Sequence, residues 1–220
     1  MEGIQMISII IFDFDGVLVE SVDIKTDAFR NLFSFSPHVD EIVQYHTDNA
    51  GIPRFEKFRH IYKNILREEL TDERFHELSD QFSSLVIDAV VTAPCVPGAS
   101  GFLKKFWKTI PIFVISATPE HELREIIRRR NMGRYFHGIL GSPAKKADNI
   151  RALLKKEHLE PKRTIYVGDA VNDLNAAREA GVRFVGRIRP GISDPFLGCA
   201  DVEKTVSDLE ELSEYIGEIL

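Results

Sequence analysis

The sequence predicts an α/β protein: a doubly wound parallel sheet with an inserted helical block. Three observations predict it. Apolar runs of strand length recur at Ile7–Phe12, Pro111–Ile115, Thr164–Val167 and Val182–Val185, continuous and β-branched as in strands buried on both faces. Stretches with apolar residues at helical spacing separate the last three runs, the alternation of βαβ units. Between the first two runs, residues 21–91 carry helical patterning only, which is too long for a crossover loop and reads as an insertion.

Taken in order, Ile7–Phe12 breaks at Asp13-Phe14-Asp15-Gly16, a buried strand emptying into a tight loop. The insertion divides into helices over Val22–Phe35, His38–Thr47, Phe55–Leu70 and Asp72–Val90. Pro37 and Asn49–Pro53 act as breakers, and Thr71-Asp72-Glu73 as a helix start. Its phenylalanines, Phe29, Phe33, Phe35, Phe55 and Phe58, read as its own core. The Pro/Gly-bearing segment Thr92–Gly98 reads as a hinge back to the sheet. This divides the chain into a core domain, 1–17 and 96–220, and a helical domain, 18–95, lying over the Asp13 end of the first strand. Helices over Ser100–Lys108 and Pro119–Asn131 flank the second strand, and Lys146–Glu157 and Asp173–Ala180 flank the third. Arg128-Arg129-Arg130 reads as a solvated helix end favoured by the dipole. Phe136–Leu140 is a further short strand, Asp201–Val202 ends the sheet, and Ser207–Ile219 is a closing helix.

Composition bounds the function. A net charge of −6 with pI near 5.7 argues against non-specific nucleic-acid binding. Cys95 and Cys199 have neither CxxC nor zinc spacing, which fits small apolar roles in a reducing compartment. The amino terminus lacks a basic n-region, and its apolar run is too short for a signal peptide or a membrane span. The expectation is a cytoplasmic protein with no membrane partner; the oligomeric state is not readable.

Polar residues cluster at the carboxyl ends of the strands, where open α/β sheets bind ligands. Asp13 and Asp15 sit two apart at the first strand's end. Unpaired carboxylates are costly beside a core, and a hard cation with oxygen ligands would justify them; capping of the following turn is the competing explanation. Ser116-Ala117-Thr118-Pro119 ends the second strand at a helix start, where free N–H groups and the Ser116 hydroxyl can hold a phosphate; Thr118 also reads as a helix N-cap. Gly168-Asp169 ends the third strand, with Asp173 four residues on, a second acidic site for a metal. Lys145 or Lys146, at a helix opening, can reach these carboxylates.

DFDGVLVES, VISAT, GSPAKKADNI and GDAVNDLNAA, in this order, resemble the four motifs of haloacid-dehalogenase-superfamily phosphohydrolases with a helical cap, the branch of the phosphoglycolate phosphatases and β-phosphoglucomutases. The resemblance covers nearly the whole chain. It implies a Rossmann-like core with the helical domain as cap, and a Mg²⁺-dependent phosphatase of a small phosphorylated metabolite. Asp13 falls in the nucleophile position, Asp15 in that of the general acid/base, and Ser116 and Lys146 in those of the phosphate-binding catalytic residues. Asp13, the backbone carbonyl of Asp15, Asp169 and Asp173 are the implied metal site, and backbone N–H groups near Gly16 and Ala117 the implied phosphate cradle. Glu20 and Ala170 stand where the family often has Asp and Ser. The presence of Asp15 favours phosphoryl transfer over dehalogenation. A carboxylate attacking a phosphate dianion meets roughly 4 kcal/mol of repulsion per pair of charges at ~4 Å and an effective dielectric of about 20. Mg²⁺ with one lysine offsets this; a lysine alone does not. In the predicted cap loop Asn49–Arg54, Arg54 is the candidate substrate-specificity residue, because its planar fork fits carboxylate or phosphate; a surface Arg on the next helix is the competing explanation. A sugar-phosphate mutase shares all four motifs, and a phospho-receiver domain would use Asp, Mg²⁺ and Lys without needing Asp15.

Overall fold

The computed structural model describes residues 6–220. Among the described residues, β1 (Ile9–Phe12), β2 (Ile112–Pro119), β3 (Gly138–Ser142), β4 (Thr164–Gly168), β5 (Arg183–Arg187) and β6 (Val202–Val206) form one parallel sheet, ordered β3-β2-β1-β4-β5-β6. The winding reverses between β1 and β4, so the crevice outside their carboxyl ends is the ligand position of a doubly wound sheet. Phe12 is in register with both Val114 and Val167, and Asp13 N–H donates to Val167 O at 2.9 Å. Strands β1 and β4 therefore release their loops at one level, while β2 runs on past Val114 to Pro119, beyond the Ile115 suggested by the apolar run.

The helices are α1 (Val22–Leu32), α2 (Val39–Asp48), α3 (Arg54–His60), α4 (Asp72–Thr92), α5 (Ala99–Phe106), α6 (Glu120–Arg129), α7 (Lys146–Lys156), α8 (Val171–Ala180) and α9 (Leu209–Glu218). Alternation along β1 divides the core between the two faces of the sheet. Ile10 and Phe12 pack with residues of α5, α9 and the helical block, whereas Ile9 and Ile11 pack with residues of α7 and α8. Phe12 meets Phe102 edge-on at 5.4 Å between ring centroids.

Helices α1–α4 form the predicted insertion. Helix α3 runs on as a π-helical turn, Ile61–Leu66, and stops at Arg67, whose φ of +56° is left-handed, earlier than the Leu70 suggested by periodicity. Thr71 caps α4 by accepting the Arg74 N–H at 3.2 Å. Phe29, Phe33 and Phe58 are buried there with Phe82. Phe35, read from sequence as part of that core, is 75% exposed. The two linkers to the sheet pair with each other: Val96 N–H donates to Leu18 O (3.1 Å) and Glu20 N–H to Pro94 O (3.0 Å).

Three local expectations change. β3 begins at Gly138, two residues later than read, because a 3-10 turn at Gly133–Tyr135 follows α6. β6 extends to Val206 with its middle residues exposed, and that polar face hid an edge strand from apolar patterning. Arg130 is half-buried rather than solvated: one guanidinium nitrogen donates to the carbonyls of Val90 (2.6 Å), Val91 (2.8 Å) and Ala93 (2.8 Å). It thereby satisfies the orphan acceptors that end α4.

Candidate active site

Asp13 stands just past β1, fixed by the Phe14 N–H, which donates to its Oδ1 at 2.7 Å. From α7, Lys146 reaches across the sheet ends to donate to Asp13 Oδ2 (2.9 Å) and Asp173 Oδ1 (2.5 Å). Lys146 is buried and Lys145 is exposed, which decides between the two lysines. Asp173 is locked further: Tyr166 Oη donates to Oδ1 (2.7 Å), and the Ala170 N–H to Oδ2 (3.1 Å). Tyr166 lies on β4, so the sheet itself positions this carboxylate.

Carboxylate oxygens of Asp13, Asp169 and Asp173 lie within 4.8 Å of one another. The turn at Gly16 makes this possible. Gly16 has φ +73°, and a Cβ there would stand 1.9 Å from Asp169 Oδ2. Burial above all, opposed by Lys146 and reinforced by Asp173 and Asp15, pushes Asp13 up to about 6. Burial, then Asp173 and Asp13, raise Asp169 well above the usual carboxylate range. Lys146 is held protonated by Asp13 and Asp173 despite its burial. The cluster thus carries more negative charge than one lysine neutralises. Its donors are oxygens only, the set that suits a hard divalent cation.

Asp15 is held differently. Burial pushes its carboxyl up, but Lys25 alongside and hydrogen bonds from Ser21 and Thr118 prevail and leave it below the ordinary value. Ser21 Oγ donates at 2.6 Å and Thr118 Oγ1 at 2.9 Å, while Lys25 Nζ bonds both Asp15 and Thr118. Lys25 was not anticipated from sequence, although a cation in the first turn of α1 runs against the helix dipole and so invites a functional explanation.

Ser116 is buried within β2, three residues before its end, its Oγ accepting the Thr118 N–H at 3.2 Å, and Ala117 lines the cleft beside it. Gly16 N–H, expected to face a phosphate, instead donates to Val19 O at 2.8 Å, because the loop closes on itself as a turn. Arg54 also lines the cleft. It is not a surface residue: at 8% exposure its guanidinium is held by Glu122 of α6 (2.5 and 2.8 Å) and by Ser83 (2.9 Å). The loop at Gly51 in the helical block touches the sheet loops directly, since Asn172 Nδ2 donates to Gly51 O at 2.7 Å. The cleft encloses about 90 Å³ between Asp13, Asp15 and Ser116 on one side and His46, Arg54 and Lys57 on the other.

Comparison with known proteins gives the family. Residues 10–187 match the family model of haloacid dehalogenase-like hydrolases. The chain is 28% identical over 184 residues to phosphoglycolate phosphatase 1 of Pseudomonas aeruginosa, covering 80% of this chain and 67% of that protein. It is 26% identical over 196 residues to a phosphorylated carbohydrates phosphatase of Thermotoga maritima, covering 84% and 87%. A haloacid dehalogenase-like hydrolase of Streptococcus pneumoniae superposes with a TM-score of 0.74 at 22% identity, covering 95% of this chain and 98% of that one. The match spans most of the chain and includes every strand that contributes to the acidic cluster, and on that ground the protein belongs to the haloacid dehalogenase-like hydrolases.

Proposed function

We propose that the protein is a Mg²⁺-dependent phosphatase that hydrolyses a small phosphomonoester through an aspartyl-phosphate on Asp13. The observation that carries this reading is the buried Lys146 ammonium bridging Asp13 and Asp173, beside a third carboxylate, under a helical block. The named relatives act on phosphoglycolate and phosphorylated carbohydrates, which makes short phosphorylated metabolites the first substrates to assay. Residues 18–95 serve as the cap and 1–17 with 96–220 as the catalytic core.

Asp13 attacks phosphorus in line, and the bond to the leaving alkoxide breaks as the Asp13–phosphorus bond forms. Ser116 and Lys146 hold the equatorial oxygens. Arrival of a phosphate dianion beside Asp15 raises its proton affinity, and Asp15 passes a proton to the leaving oxygen. As a carboxylate, stabilised by Lys25, it then takes a proton from the water that attacks the intermediate, returning free Asp13 and inorganic phosphate. Asp13, the Asp15 carbonyl and Asp169 would hold Mg²⁺, with Asp173 supporting the site, and the ion would neutralise charge on the phosphoryl group. The buried cap–core contacts exclude water while this happens.

Release of inorganic phosphate from p-nitrophenyl phosphate with and without Mg²⁺ tests the reading. Asp13→Asn abolishes turnover while circular dichroism stays native; wild-type turnover in that variant removes Asp13 as nucleophile. Interconversion of sugar phosphates without phosphate release would instead indicate a mutase. Failure to hydrolyse any phosphomonoester would return the protein to a non-catalytic, receiver-like role.

A further inference from the structure

The cations lining the cleft differ in one respect. Lys25 pairs with Asp15 and Arg54 with Glu122, whereas Lys57, on α3, pairs with no carboxylate among the described residues. It is 3% exposed. Its Nζ donates to His46 O and to His46 Nδ1, each at 3.0 Å, and lies 5.7 Å from the centre of the Phe29 ring. His46 stacks on that ring at 4.2 Å. Burial, then Lys57 and Lys25, push the imidazole down to about 2, so it is neutral, and facing an ammonium, which has no lone pair, its Nδ1 accepts. An ammonium has three N–H donors, and two are placed on these neutral acceptors.

A desolvated ammonium without an anionic partner is unfavourable. Burial first, then Lys25 and Lys146, bring Lys57 down to about 7. Its hydrogen bonds to His46 nevertheless hold it in the wall of the cleft that contains Asp13. The transferred phosphoryl group already has Lys146 and Ser116 on the sheet side. Lys57 therefore meets whatever the leaving group carries.

We infer that Lys57, oriented by His46, is the specificity-determining residue that receives a carboxylate on the leaving-group side of the substrate. A monoanion matches one ammonium. Lys57 lines the same cleft as Asp13 and Asp15, within reach of a substituent on the leaving group. Arg54, whose fork would suit a second phosphate, is occupied by Glu122. The inference rests on the phosphatase reading for its catalytic readout and on binding alone for a second readout.

The experiment compares 2-phosphoglycolate with 2-hydroxyethyl phosphate, which replaces the carboxylate with an uncharged alcohol. Wild type favours the carboxylate substrate in kcat/KM by roughly 10- to 100-fold, the range of one charge-assisted hydrogen bond. In Lys57→Met that preference collapses towards unity, and Lys57→Arg restores part of it. Lys57→Gln serves where the Met variant folds poorly, as judged by thermal melting. The same comparison by calorimetry in an Asp13→Asn background reads the contact without turnover, so absence of hydrolysis counts against the phosphatase reading and leaves the Lys57 contact measurable. An unchanged substrate ratio in Lys57→Met, no preference in wild type, or a Lys57-dependent preference for a bisphosphate would each overturn the assignment.

Discussion

Removing the carboxylate charge at Asp13 stabilises the metal-free protein. Asp13 is pushed from an ordinary 3.8 up to about 6, chiefly by burial. A carboxyl whose folded value lies above its unfolded one favours the fold at low pH and loses that contribution as pH rises through the folded value. The difference of about 2 units, at 1.36 kcal/mol each, makes ionised Asp13 cost roughly 3 kcal/mol at pH 8. Asp13→Asn removes the charge and keeps the shape, while Lys146 retains Asp173. For a chain of this length about 2–4 °C accompanies each kcal/mol, so the variant melts roughly 6–12 °C above wild type at pH 8 in EDTA. The gap closes towards pH 4, where both proteins are neutral at this position. Saturating Mg²⁺ narrows or reverses it, because wild type binds the ion more tightly and gains stability by mass action. Differential scanning fluorimetry across pH 4–8, with EDTA or Mg²⁺, reads all three effects. A variant less stable than wild type at pH 8 in EDTA, or a gap independent of pH, would refute the charge argument.

Other outcomes follow from single contacts. Gly16→Ala places a methyl 1.9 Å from Asp169 Oδ2 at a φ of +73°; it costs about 1 kcal/mol in backbone strain and displaces Asp169, so Mg²⁺ affinity measured by calorimetry falls more than stability does. Lys25→Met leaves the burial of Asp15 unopposed by its ion-pair partner, and the acid limb of aspartyl-phosphate hydrolysis, followed in single turnovers, moves to higher pH. Lys146→Met leaves Asp13 and Asp173 without their shared cation and, as with other broken buried pairs, costs about 3–5 kcal/mol by urea unfolding at pH 8, with turnover lost. Arg130→Ala uncaps the three carbonyls that end α4 and lowers stability by about 1–3 kcal/mol, read by the urea midpoint.

The central strands were legible because they are short β-branched runs that break at polar residues: Asp13 and Asp169 follow the ends of β1 and β4, whereas β2 continues through Ser116 to Pro119. β6 was cut short because its middle residues are polar. Long-range pairings resisted sequence reading. Arg54 is sixty-eight residues from Glu122, and neither position carries a local signal that it is buried. Lys57 and His46 look like ordinary helix-surface residues until α2 and α3 pack. Arg130, in a run of three arginines, differs from its neighbours only because the end of α4 arrives beside it.

The hydrogen bonds between Leu18 and Val96 and between Glu20 and Pro94 mean that the helical block departs and returns at nearly one point, about one strand spacing apart. Such a junction attaches the helical block to the sheet at a single place. A block attached in this way can be lengthened, shortened or exchanged without shifting a strand of the sheet, so the two parts of the chain are free to diverge independently.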